Sequence, residues 1–257
     1  MYANYHTHTY LSNHATGTPR DYVESAIRGG IRLLGFSDHV PYPFSTGHYS
    51  GYRVAVADTE KYVSEILALR EEYKDKIQIF LGYEAEYFPN EFDAMLKNIR
   101  KYECDYLILG QHYTNNEYDG KYVYQALTEE KDVLTSYVNQ AVAGMETGLF
   151  SYIAHPDLPY FRGDDGFYAE EMTRLCEAAK RLGIPLEINL LGLRQGRAYP
   201  YEKFWEIAAR VGNDAILGCD AHDAAALSDA ATEESGRAYA ARFGIKLLDR
   251  VELRKVK

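Results

Sequence analysis

The segment Asn4-Tyr5-His6-Thr7-His8-Thr9 sets two imidazoles two residues apart, and a third follows at His14. On an extended segment, side chains at that spacing point to the same side, so His6 and His8 converge on one point beyond a strand end. Neutral imidazole nitrogens placed this way supply part of the shell of zinc or another late transition metal. An isolated His-x-His is as readily a pair of surface histidines, and the other histidines decide between the two readings. Of the eight in the chain, His39, His112, His155 and His222 each follow a short apolar run: residues 31–36, 106–109, 150–154 and 215–217. Carboxylates do the same at Glu84 and Glu86 after residues 77–83, and at Glu187, with Asn189, after residues 184–186. A buried core histidine accounts for one such position. Ligand-type residues at the trailing end of nearly every candidate strand form one constellation.

The elements that must carry these residues alternate. Thr18 and Pro19 open a helix with Asp21 at the capping-box position, and Gly29-Gly30 close it. Asp58 to Lys74 has helical spacing, with Tyr62, Ile66, Leu69 and Tyr73 on one stripe. Further helices are expected from Glu91 to Tyr102, after a Thr128 cap with Glu129 and Glu130 in the first turn, from Tyr168 to Leu182, and from Tyr201 to Val211. One more helix and a short tail finish the chain. Loops run from Pro41 to Tyr52, where His48 reads as an ordinary exposed loop histidine, and over the tyrosine-bearing stretch Thr114 to Tyr124. Seven strands end in a polar site residue, at His8, His39, Glu84, His112, His155, Glu187 and Asp220. Strands alternating with helices give a parallel sheet, and closing that sheet brings all the carboxyl ends over one barrel mouth. An open doubly wound sheet gathers only the residues near its switch point, so the scattered ligands favour an α/β barrel of seven strands.

At 257 residues and 46% hydrophobic content, the chain matches one α/β barrel, and residues 1–257 are expected to form a single domain. The formal net charge of −10 disfavours nucleic acid and acidic membrane surfaces as partners. A small phosphorylated substrate remains compatible, because a cluster of divalent ions inverts the local field. Cys104, Cys176 and Cys219 are far apart and odd in number, and they read as buried free thiols in strand or helix interiors. With no signal-like segment and no membrane-length apolar run, a soluble cytoplasmic protein is expected. Tyrosine is abundant, at 24 residues, and Tyr42, Tyr49, Tyr52, Tyr87, Tyr113, Tyr160 and Tyr199 fall in loops after strand ends, where some can line a pocket.

The set His6-Thr-His8 with His14, Asp38-His39, Glu84, His112, His155 and Asp220-Ala-His222 resembles the polymerase and histidinol phosphatase (PHP) superfamily of metallophosphoesterases, over essentially the whole chain. Ser37-Asp-His-Val-Pro-Tyr-Pro43 and Glu187-Ile-Asn189, followed by Gly192-Leu-Arg194 and Tyr199-Pro200, are similar to its stand-alone histidinol-phosphatase branch. The resemblance implies a distorted (β/α)7 TIM-like barrel, the PHP fold, holding three divalent ions, with zinc, iron and manganese all compatible. It implies a first metal on His6, His8, Glu84 and Asp220, a second on Glu84, His112 and His155, and a third on His14, His39 and His222. Three divalent ions less two carboxylates and a bridging hydroxide leave about +3, which suits a phosphate dianion. Such a metal-bridging hydroxide, formed because bound water has its pKa lowered to roughly 7, attacks phosphorus in line.

Arg162, Arg194 and Arg197 offer forked donors for the phosphoryl oxygens. Asp157, Asp223 and metal-bound water are the candidates for protonating the departing alkoxide, and Asp38 and Glu86 can orient ligand histidines from behind. The expected activity is metal-dependent hydrolysis of L-histidinol phosphate in histidine biosynthesis. The alternative is a PHP-type protein-tyrosine phosphatase or another small-molecule phosphoesterase. An amidohydrolase-type barrel also begins with His-x-His, but the place of its bridging lysine holds Gln111-His112, and it has no need of His14, His39 and His222. A degenerate, non-catalytic metal domain should have lost ligands, and this chain retains every position.

Overall fold

The computed structural model describes residues 1–124 and 126–256. In chain order its first half comprises β1 (Ala3–Asn4), α1 (Pro19–Arg28), β2 (Leu33–Phe36), α2 (Thr59–Glu72), β3 (Gln78–Ala85), α3 (Phe92–Ile99) and β4 (Tyr106–Leu109). The second half comprises β5 (Leu127–Thr128), α4 (Lys131–Glu146), β6 (Phe150–Ile153), β7 (Tyr160–Phe161), α5 (Asp165–Leu182), β8 (Leu186–Asn189) and α6 (Leu190–Gln195). It ends with α7 (Glu202–Val211), β9 (Asp214–Gly218), α8 (Ala230–Phe243) and β10 (Lys246–Leu247). Eight strands form one sheet in the order β1-β2-β3-β4-β6-β8-β9-β10, with every pairing parallel. None of the helices described is long and apolar enough to cross a membrane.

Strand periodicity sorts the side chains. Leu34, Phe36, Ile79, Leu81, Leu107, Leu109, Leu186, Ile188, Ala215 and Leu217 join the large cluster shared with the helices. Their alternates Leu33, Tyr106, Ile108, Tyr152 and Ile216 form a second cluster with Ala3, Tyr5 and Val251, enclosed by the sheet. Because the period is two, the inward set of β3 continues to Glu84, that of β8 consists of Glu187 and Asn189, and that of β9 leads to Asp220. The apolar runs are therefore what aim the polar residues. Inside the sheet, the Tyr106 hydroxyl donates to the Tyr5 and Phe36 carbonyls, at 2.7 and 3.0 Å, and ties three strands together.

At the carboxyl end, the chain beyond β1 meets the chain beyond β9. Thr7 and Ala221 form a parallel bridge, with His8 N donating to Ala221 O at 2.9 Å and Ala221 N to His6 O at 3.2 Å. At the opposite end, β10 pairs with the start of β9, and Leu248, Val251 and Leu253 pack onto the enclosed cluster.

α1 carries the expected box, in which the Thr18 side chain accepts from Asp21 N while Asp21 accepts from Thr18 N. Several expectations are corrected. Thr128 does not cap a helix: Leu127 and Thr128 pair with Tyr160 and Phe161 as a two-stranded ladder, and α4 starts at Lys131 behind Glu130. α5 starts three residues before Tyr168, because the Asp164 side chain caps it by accepting from Phe167 N. The expected tail contains an eighth strand of the sheet, and residues 190–195, which carried no assignment, are helical and capped by the Asn189 side chain. The three cysteines are free, but Cys104 is only half-buried and lies in the loop before β4.

Candidate metal centre

β1 runs on through His6, Thr7 and His8, and Thr7 is held on both flanks, by Ala221 and by Ser37 N, which donates to Thr7 O at 2.8 Å. Asn4 braces the same stretch, its amide donating to Thr7 Oγ1 at 2.8 Å and its carbonyl accepting from Cys219 N at 2.8 Å. The Thr9 side chain caps a short turn that ends at Asn13, whose left-handed backbone swings His14 back to the mouth. Asp38 accepts from Thr9 N at 2.6 Å and so fixes this turn, while its distance to His8 Nδ1 is 3.8 Å. Its part is to hold the backbone that carries the ligands. Burial pushes the Asp38 carboxyl up to about 7.

His155 and Asp220 are non-glycine residues at φ 39° and 46°. Such backbone costs on the order of 1–3 kcal/mol and is found where the surroundings over-determine it. Two glycines make the room the carboxylates need. A Cβ on Gly110 would lie 1.9 Å from Glu84 Oε1, and one on Gly218 would lie 1.8 Å from Glu187 Oε1.

All nine expected ligands come together. Ring centroids run His14 to His222 at 4.6 Å, His222 to His8 at 4.4 Å, His8 to His39 at 4.8 Å, His39 to His112 at 5.1 Å and His112 to His155 at 4.9 Å. His6 lies 5.6 Å from His155 and 5.1 Å from His8. Glu84 is the hub: one oxygen faces His6, His8 and His39 at 3.3, 3.4 and 3.2 Å, the other His155 and His112 at 2.8 and 3.6 Å. Asp220 Oδ1 faces His6, His8 and His222 at 3.5, 3.3 and 3.4 Å. Five triads have donor atoms close enough to share an ion: His6-His8-Glu84, His6-His155-Asp220, His39-Glu84-His112, His8-His14-His39 and His8-Asp220-His222. His14 and His39 share one triad and His222 another, and His8 belongs to both.

The chemistry of this donor set fits divalent metal. Four histidines have Nδ1 anchored by an acceptor: His6 by Glu187 at 2.8 Å, His14 by Ser12 O at 2.7 Å, His112 by Glu86 at 3.1 Å and His222 by Asp220 O at 3.0 Å. An anchored Nδ1–H leaves Nε2 with its lone pair turned to the centre, the usual way a ligand histidine is oriented. His6 Nε2, His8 Nδ1, His39 Nδ1 and His155 Nδ1 are buried with no hydrogen-bond partner among the described residues.

Burial, then the neighbouring His222, pulls His8 down to about 3 and His14 to about 4, and burial holds His39 well below the usual range. Burial opposes ionisation of Glu84 and Asp220, yet the surrounding imidazoles outweigh it and keep both carboxyls well below their usual values. These are the protonation states a metal requires. For His6, burial is overcome by Glu187, Asp220 and Glu84, which raise it well above the usual range. That excess of negative charge is what a cation relieves.

Beside the donors opens a cavity of about 460 Å³, walled by Tyr52, Tyr113, Tyr122, Tyr124, Leu191, Gln195 and Arg197. Its size is that of a small-molecule site. Of the three arginines, only Arg197 lines it, stacked 5.1 Å from the Tyr124 ring and donating to the Tyr199 hydroxyl at 2.9 Å. Arg162 is instead held against the rings of Tyr160 and Tyr201 at 4.4 and 4.8 Å, and Arg194 pairs with Asp229 at 3.2 Å.

The two candidate proton donors also face elsewhere. Asp157 accepts from Tyr201 N at 2.6 Å and from Trp205 Nε1 at 3.0 Å, and Asp223 caps the turn at Ala224 to Ser228. Tyr52 and Tyr113 reach the cavity as expected of strand-end tyrosines. His48 is half-buried, against Phe44 and within 3.2 Å of Glu117, and so is not an exposed loop histidine.

Two groups carry more than their sequence position signalled. Glu187 orients His6 and accepts from His155 N at 3.0 Å. Arg53 is buried between Glu86 and Glu117, 2.7 Å from each, and behind Glu86 stands His112.

The PHP domain matches residues 4–190. A probable histidinol-phosphatase of Deinococcus radiodurans is 31% identical over 231 residues, 84% of this chain and 85% of that one. The histidinol-phosphatase of Bacillus subtilis is 25% identical over 252 residues, 85% of this chain and 92% of that one. A solved histidinol phosphate phosphatase of Lactococcus lactis, in complex with zinc, L-histidinol and phosphate, superposes with a TM-score of 0.73 at 21% identity, covering 98% of both chains.

Proposed function

The chain belongs to the PHP-domain family, and from that premise we propose that it is a metal-dependent phosphomonoesterase that hydrolyses L-histidinol phosphate to L-histidinol and inorganic phosphate. The observation that carries this reading is the convergence of nine nitrogen and oxygen donors on one mouth, opening into a cavity that also holds Arg197. The substrate is taken from the relatives, two of which bear the name histidinol-phosphatase, and from the L-histidinol and phosphate held by the related solved structure.

We read residues 1–257 as one domain, a distorted (β/α)7 barrel of β1, β2, β3, β4, β6, β8 and β9 whose first and seventh strands run on to meet at Thr7 and Ala221, with β10 filling the seam below. A first divalent ion would be held by His6, His8, Glu84 and Asp220, a second by Glu84, His112 and His155, and a third by His14, His39 and His222. The central place of Glu84 supports its sharing between the first two. Zinc, iron and manganese all suit such mixed shells. Ions bound there supply Lewis-acid charge for the phosphoryl oxygens and activate water at neutral pH.

The protein's own groups do the rest. Glu187, Glu86 and the Ser12 and Asp220 carbonyls fix the imidazoles before substrate arrives, so no reorganisation is needed during reaction. Arg197 sets a positive charge in the cavity wall for the phosphate dianion, held there by donating to Gln195 Oε1 at 2.9 and 2.6 Å and to the Tyr199 hydroxyl at 2.9 Å, and by stacking on Tyr124. The walls of Tyr52, Tyr113, Tyr122 and Tyr124 narrow the space around the leaving group. A reducing compartment such as the cytoplasm accords with three free cysteines.

Phosphate release from L-histidinol phosphate, a phosphotyrosine peptide and short DNA, measured on metal-loaded protein, tests the assignment. Preference for the first is expected, and preference for either of the others overturns it.

A further inference from the structure

Resting on the phosphomonoesterase reading of the same site, we infer that Tyr113 and Tyr122 are the specificity-determining residues for the alcohol half of the substrate, selecting an ester with a flat ring by offering it their π faces. Four rings form a continuous arc along the cavity. Tyr52 and Tyr113 are near-parallel at 6.5 Å, Tyr113 and Tyr122 are 4.8 Å apart, and Tyr122 and Tyr124 are 5.8 Å apart. The arc starts at the ligands, since the edge-on contact of Tyr52 with His39 is 4.8 Å. It ends at Arg197, which already occupies Tyr124.

The phosphate belongs between the donors and Arg197. The remainder of the ester must then extend along the rings left free, Tyr113 and Tyr122. A backbone bridge between these two residues fixes the spacing of their rings.

Two further observations point the same way. Among the described residues the carboxylates lining the cavity are Glu84 and Asp220, both engaged by histidines, so none of these acids is spare to recognise a leaving group by charge. Tyr122 is 46% exposed, one of five large apolar residues left so open among those described, and the Tyr113 and Tyr122 hydroxyls have no hydrogen-bond partner among the described residues. A ring ligand laid on this arc gains offset-stacked or edge contacts, and a protonated ring gains cation–π attraction as well.

The test compares kcat/KM of the metal-loaded protein for L-histidinol phosphate and for ethanolamine phosphate, which keeps the ammonium and the phosphate but lacks the ring. The wild type is expected to favour the ring-bearing ester, and Tyr113→Ala and Tyr122→Ala each to shrink that ratio by roughly 5-fold, chiefly through KM. Tyr122→Phe, which keeps the face and loses the hydroxyl, restores the ratio. Because Tyr122 is so open, its truncation leaves the core intact. An unchanged ratio in both alanine variants overturns the inference, and so does a Phe variant as impaired as the Ala one. A wild type that turns over both esters equally defeats the ring selectivity while the phosphatase stands. Failure to hydrolyse either ester defeats the phosphatase reading, and this inference with it.

Discussion

Replacing Arg53 by Met should damage the centre from a distance, and the size of the damage follows from what the guanidinium touches. Arg53 is 2% exposed, lies 2.7 Å from both Glu86 and Glu117, and stacks over Tyr52 and Tyr42 at 4.8 and 5.3 Å. Burial alone would raise the Glu86 carboxyl, but Arg53 and His112 reverse that and hold it below its ordinary value. Removing one partner of a buried pair costs about 3–5 kcal/mol, because the other charge is left uncompensated. Here two carboxylates are stranded, so we expect the upper part of that range, against a total stability of about 5–15 kcal/mol. At about 2–4 °C per kcal/mol for chains of this size, the midpoint should fall by roughly 10–15 °C.

The assay is thermal unfolding of wild type, Arg53→Met, Glu86→Gln and the double variant, with metal content measured alongside. Once Glu86 is neutral, the arginine has less to compensate, so the two losses should be less than additive by about 1–3 kcal/mol. Arg53→Lys, which keeps the charge and loses the fork, should fall between wild type and Arg53→Met. A loss under about 1 kcal/mol for Arg53→Met, or strictly additive losses, would show that the guanidinium neither compensates Glu86 nor steadies His112.

Other outcomes follow from single contacts. Glu187→Gln should weaken metal binding by about 10- to 100-fold, measured by chelator competition, because His6 loses its anionic acceptor. Gly218→Ala should cost about 1–3 kcal/mol in denaturant unfolding, since its Cβ would overlap the Glu187 carboxylate. Chelation of the loaded protein should abolish turnover and lower the unfolding midpoint, as expected for ions that bind only the folded state. Glu91 accepts from the Ser45 hydroxyl at 2.6 Å, from Ser45 N at 3.1 Å and from the Tyr118 hydroxyl at 2.9 Å; burial opposes its ionisation, but these bonds outweigh it and lower its pKa. Its contribution to stability is therefore present above the unfolded carboxyl range and is lost as pH falls through the lower folded value. The stability gap between wild type and Glu91→Gln should accordingly shrink in acid, and a gap constant from neutral pH to about pH 3 would refute this.

The convergence of the donors was legible in the sequence because most of them follow a run whose periodicity fixes which face of the sheet it serves. His6 and His8 reveal themselves by spacing, and Glu84 and Asp220 by strand alternation. Glu187 obeyed the same alternation, but strand position alone does not distinguish an inward carboxylate that binds a metal from one that orients its histidine. Arg53 gave no local signal, since its partners lie 33 and 64 residues onward. Arg162 and Arg194 had the right chemistry beyond the right strands, yet neighbouring tyrosines and Asp229 claimed them. Asp157 was one candidate for the proton donor, and its carboxylate serves the backbone of Tyr201 and the indole of Trp205. Competition between near neighbours decides such cases, and a motif does not record it. The missed short elements have the same origin: β5 and β10 are two residues each and exist only because a distant strand edge was free to take them.

The bridge between Thr7 and Ala221 joins residues separated by most of the polypeptide, and the ligands on either side of it, His6, His8, Asp220 and His222, come from both banks of that join. Such a long-range contact is entropically the last to be rewarded during folding. Loading the centre thus amounts to fastening a clasp between β1 and β9, and amide exchange at His8 and Ala221 should slow more on metal addition than exchange inside β3 or β4.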